Sequence, residues 1–129
     1  MKPNELKSLE ILAHGQFGRD SDGFRASALS ITIIAIDKKG QRHTVKEFCV
    51  TDDQNARDTH QAHYMAIDMA VSYANDFTRR VGKYPITIKS PSKLAINQIN
   101  GTMKCKSDDL IPLRDMVNYH KADYTFEIL

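Results

Sequence analysis

A chain of 129 residues with 41% hydrophobic side chains is the size of one ordinary domain and can bury a continuous core without disulfide or metal staples. Its 18 basic and 16 acidic residues leave a formal charge of +2, which excludes a surface that grips phosphates everywhere, so any nucleic-acid contact must be local. Met1 to Glu10 is polar rather than signal-like, no membrane-length apolar run occurs, and Cys49 and Cys105 stand far apart, which predicts one cytoplasmic domain over residues 1–129 with reduced thiols.

Leu9 to Ala13 and Ala26 to Asp37 are strand-like runs, the second rich in β-branched residues through Ile31-Thr32-Ile33-Ile34-Ala35-Ile36. Between them Gly15, Gly18 and Gly23, with Asp20, Ser21 and Asp22, predict a hairpin with a long loop. Asp37-Lys38-Lys39-Gly40 predicts a turn, and Gln41 to Val50 a third antiparallel strand in which Val45 alternates with charged neighbours. Ala62, Met65, Ala66, Met69, Ala70, Tyr73 and Phe77 then recur at helical spacing, up to Gly82. Pro85 to Lys89 predicts a strand parallel to the first. Ser90 as N-cap and Pro91 at the first helical position predict a second helix that Gly101 closes. A third helix around Leu110, Leu113, Met116 and Val117 precedes a last strand, Tyr124 to Leu129. The expected class is α/β, a five-stranded mixed sheet with about three helices.

Three local strings add to this order. Ile86-Thr87-Ile88-Lys89-Ser90-Pro91-Ser92-Lys93-Leu94 leads through Gln98-Ile99-Asn100-Gly101 to Met103-Lys104-Cys105-Lys106 and Leu110-Ile111-Pro112-Leu113. It resembles the strand, "DS-x-L", "Q-[IL]-N-G", "Y-K-x-K" and "L-x-P-L" succession of the ribonuclease H family. His60-Gln61-Ala62-His63-Tyr64-Met65-Ala66-Ile67 is similar to that family's "N-x-A-E-Y-x-A-L", and Ile11-Leu12-Ala13-His14-Gly15 stands where the family has a hydrophobic strand followed by "D-G". The resemblance implies a ribonuclease H-like fold. It also implies that His14, His63 and Pro91 occupy the places of three carboxylates that hold a pair of Mg²⁺ ions in the family. The family's last acid lies on a helix after the fifth strand, whereas this sequence ends at Leu129.

On that resemblance the sequence predicts a non-enzyme that acts by binding, without a cofactor, and His14, His63 and Pro91 would be a degenerate former active site. His14, His60 and His63 leave a weak transition-metal site open, with Asp20, Asp22 and Asp68 as outside ligands, and hence a nuclease using His14 and His63 as the remote alternative. The plainer account is that the imidazoles bond to neighbours or water. His60, Gln61, Lys93, Lys104 and Lys106 are the candidate nucleic-acid contacts, with Lys89, Arg79 and Arg80 extending a basic stripe. The run Ile31 to Ile36, read as a central strand, is apolar on both faces, so the face left open by the missing helix predicts a partner subunit or a second copy of the chain, in a nucleic-acid-processing assembly.

Overall fold

The computed structural model describes residues 3–19, 22–23, 25–52 and 56–129. A short 3-10 turn, Pro3–Glu5, leads into β1 (Leu6–Arg19), β2 (Arg25–Asp37) and β3 (Arg42–Asp52). These are followed by α1 (Thr59–Arg80), β4 (Ile86–Ser90), α2 (Lys93–Asn100), α3 (Ile111–His120) and β5 (Thr125–Ile128). The sheet order is β3-β2-β1-β4-β5, with β1 antiparallel to β2, β2 antiparallel to β3, and β4 parallel to both β1 and β5. The predicted element order and sheet class hold.

Strand alternation sends Leu9, Ile11 and Ala13 of β1, Leu29, Ile31 and Ile33 of β2, and Ile86 and Ile88 of β4 to one face, where all are buried. Ala62, Ala66, Ile67, Ala70, Val71 and Ala74 form the buried stripe of α1 that covers this face. Four of those six are alanines, which lets the helix axis lie close to the sheet. The helix α3 stacks on α1 and α2, and α2 lies over β4 and β5.

Four details depart from the sequence reading. The glycines do not make a long loop: β1 runs straight through Gly15 and Gly18 and pairs with β2 as far as Arg19↔Arg25, so that only residues 20–24 connect the two strands. Asp20 and Ser21, placed in that loop, lie outside the described residues. The central strand is β1, not β2, and on the second face of β2 only Ile34 and Ile36 are large and apolar, beside Ala28, Ser30 and Thr32. Val45, expected to alternate regularly with charged neighbours, instead falls in the register shift between Lys46 and Thr44 and is 51% exposed on the edge strand β3. Finally, α2 starts two residues later than expected. Pro91 forces Ser90 into extended backbone, which prolongs β4, and Ser92 becomes the N-cap by accepting a hydrogen bond from the Ala95 amide at 3.1 Å.

Candidate nucleic-acid interface

Because β1 and β4 run parallel, their C-terminal ends open at the same edge of the sheet, and the N-termini of α1 and α2 arrive there too. Asp58 caps α1 by accepting from the Gln61 amide at 2.8 Å, and the Gln61 side-chain oxygen accepts in return from the Arg57 amide at 2.9 Å. This is a reciprocal cap written in the sequence as Asp58-x-x-Gln61, a signal the helical periodicity alone did not reveal. Gln61 is therefore buried and its oxygen serves the helix start. His60 beside it is exposed.

The first turn of α1 presses directly on β1. A Cβ built on Gly15 would sit 2.2 Å from the Ala62 carbonyl carbon, so only glycine allows this approach. The contact lets the Gly15 amide donate to Nδ1 of His63 at 3.2 Å. His63 is half-buried, and burial, with the nearby His14 and His60, holds its imidazole below the usual histidine range. His14 follows Glu10 and Leu12 on the other face of β1, opposite Ser30, so His14 and His63 stand on either side of the strand end. Pro91 is exposed at the end of β4, after a fully buried Ser90.

Among the described residues no three His, Cys, Asp or Glu side chains are grouped to hold a metal ion. Asp68 lies farther along α1 with Oδ1 3.7 Å from Nδ1 of His120, and does not join the histidines. A Mg²⁺ pair wants several oxygen ligands, so imidazole, imidazole and proline do not fit it.

Lys93 is exposed in the first turn of α2, and neither α1 nor α2 carries an acidic residue in its first turn. Lys104 and Lys106 are exposed on either side of buried Cys105. Cys105 belongs to the same buried core as Tyr64 of α1, whose phenol burial holds well above its usual range. The rest of the expected stripe breaks up. Arg79 and Arg80 sit at the far end of the 22-residue α1, both paired with Asp76. Lys89 lies on the uncovered face with Nζ 3.1 Å from Glu10 Oε1, and Arg42 engages the other oxygen. Glu10 is a buried charge that sequence reasoning missed, since both its partners come from other strands.

No family model and no curated protein matches the sequence. Solved structures do. The chain superimposes over 95% of its length on 85% of ribonuclease H1 from the halophilic archaeon Halobacterium salinarum NRC-1, with a TM-score of 0.67 at 19% identity. It covers 84% of LC11-RNase H1 in complex with an RNA/DNA hybrid with 94% of its own length, at TM-score 0.73 and 18% identity. The fold is that of ribonuclease H. All of this chain also matches 18% of the foamy viral protease-reverse transcriptase in complex with an RNA/DNA hybrid, at TM-score 0.70 and 13% identity. These likenesses correct the expectation of a non-enzyme: the ribonuclease H-like chains that it superimposes on include ribonucleases H1, and the replaced side chains do not by themselves show that activity is gone. Among the described residues, no helix is long and apolar enough to cross a membrane.

Proposed function

We propose that this ribonuclease H-like chain binds nucleic acid across the open edge where β1, β4, α1 and α2 converge, with an RNA/DNA hybrid as the first candidate. The observation that carries the reading is the near-complete superposition on LC11-RNase H1, whose structure holds such a hybrid. His60 and Lys93 are exposed in the first turns of α1 and α2, Lys104 and Lys106 are exposed beyond the end of α2, and Pro91 offers no carboxylate at the β4 end. Phosphate contacts from these groups would supply most of the affinity and make it salt-dependent. The test is fluorescence anisotropy with hybrid, duplex and single-stranded oligonucleotides across a salt series, with product analysis in Mg²⁺ and Mn²⁺ on the same samples. Affinity should fall with salt, and replacing Lys93, Lys104 and Lys106 together by Ala should flatten the slope by about 0.9 for each duplex phosphate that is no longer neutralised. Binding that ignores both salt and these lysines would overturn the assignment.

A second reading is assembly with another copy of the chain. The edge strand β3 exposes Val45, Phe48 and Val50, and a strand paired on one side only is a template for antiparallel pairing with a second copy of itself. Native mass spectrometry reads the outcome: a dimer supports the pairing, and a monomer at all concentrations removes it.

A further inference from the structure

We infer that His63 offers this edge one hydrogen-bond donor, Nε2–H, which takes a phosphate oxygen rather than a divalent cation. The inference deepens the nucleic-acid reading and rests on it for its ligand.

The argument begins with the backbone of β1. Its Leu9 amide donates to the Pro85 carbonyl at 3.0 Å, so the amides of the odd-numbered residues point toward β4. Pairing with β4 runs only from Leu9↔Ile86 to Leu12↔Lys89. The amide of buried Gly15 therefore points past the end of that ladder and has no strand partner, and a buried N–H must find an acceptor. Nδ1 of His63 is that acceptor, at 3.2 Å. A neutral imidazole has one donor and one acceptor nitrogen, so with Nδ1 accepting, the proton resides on Nε2.

Metal ligation needs a free lone pair, and neither ring nitrogen has one to give. The Nδ1 pair is directed at the Gly15 amide. Freeing the Nε2 pair would move the proton to Nδ1, where two N–H groups would meet head-on and a buried amide would lose its only acceptor. Protonating the ring creates the same collision, which agrees with the downward direction of its titration beside His14 and His60. The glycine at position 15 is part of the device, since any side chain there would push the first turn of α1 away from the strand.

The experiment is a two-dimensional long-range ¹⁵N–¹H spectrum of ¹⁵N-histidine-labelled protein at neutral pH, titrated in turn with Zn²⁺, inorganic phosphate and a short RNA/DNA hybrid. The expected result is an Nε2–H pattern for His63, unmoved by Zn²⁺ and shifted by phosphate and by the hybrid. An Nδ1–H pattern, or direct ligation of Zn²⁺, overturns the inference. If the hybrid binds but leaves His63 unshifted, the inference fails while the nucleic-acid reading stands. If no nucleic acid binds, that reading fails, and the phosphate titration alone decides whether the donor takes an anion. As a cross-check, His63→Phe should weaken hybrid binding about fivefold, the scale of one neutral hydrogen bond, while His63→Gln, which keeps a donor, stays within about twofold. Equal losses in both variants would count against the donor role.

Discussion

Gly15 lies against the backbone of Ala62 with no room for a single carbon between them: a Cβ there would be 2.3 Å from the Ala62 oxygen and 2.5 Å from the His63 nitrogen. These are backbone atoms of a helix that is itself packed on the sheet, so they cannot swing aside as a flexible side chain would. Gly15→Ala should therefore lift the start of α1 and cost about 3 kcal/mol or more, the upper range of overpacking. Urea denaturation followed by circular dichroism would read it. An unchanged midpoint would mean that the helix and strand do not approach this closely.

Tyr64 is fully buried, and its hydroxyl donates to Oε1 of buried Gln98 at 2.5 Å, joining α1 to α2. Tyr64→Phe should cost about 1–3 kcal/mol, because the Gln98 oxygen would remain buried without its donor. Adding Gln98→Leu removes the orphaned group as well, so the double variant should lose less than the sum of the two single losses. Additive losses in a double-mutant cycle would show that the two side chains do not act as a pair.

Asp58 and Gln61 close the start of α1 on each other, and Asp58→Ala leaves the Gln61 amide without its acceptor. The expected loss is about 1 kcal/mol, and since His63 is on the same first turn, its Nδ1 contact to Gly15 should loosen too. Amide hydrogen exchange at Gly15 measures this second effect directly. Exchange as slow as in the unaltered chain would separate the cap from the histidine.

The elements that sequence made legible are those in which one periodic signal had no rival. In α1 the three- and four-residue steps from Ala62 to Phe77 mark the helix, with Ala62, Ala66 and Ala70 buried and Met65, Met69, Tyr73 and Phe77 partly buried at its flank, and Gly101 ends α2 with the positive φ of 80° that glycine alone accepts easily. Where two local signals competed, the tertiary structure chose between them. Gly15 and Gly18 look like turn residues, but Gly15 serves close packing within a strand. Ser90 and Ser92 are equally good caps, and the conformational demand of Pro91 on Ser90 selects the second. The three histidines were singled out only through the family resemblance. Nothing in the sequence could reveal that an unpaired strand amide fixes one of their rings.

The uncovered face of the sheet carries its own pH dependence through Glu10. Burial pushes this carboxyl upward, but the bonds and charges of Lys89 and then Arg42 outweigh it, so its affinity for a proton is below the ordinary value of 4.5. In the unfolded chain the group titrates near that ordinary value, so between the unfolded and the folded value the unfolded state binds more protons than the native one. The stabilisation is thus fully present above about pH 4.5 and disappears as the pH falls through the lowered folded value. Lys89→Ala should remove about 2 kcal/mol at neutral pH, since the carboxylate stays buried with one cation fewer and the exposed Arg42 is screened by solvent. Glu10→Gln should instead flatten the acid limb of the stability profile. Equilibrium unfolding from neutral pH down to about pH 3 compares the three chains. An acid limb identical in Glu10→Gln and the unaltered protein would show that some other carboxylate controls the acid sensitivity.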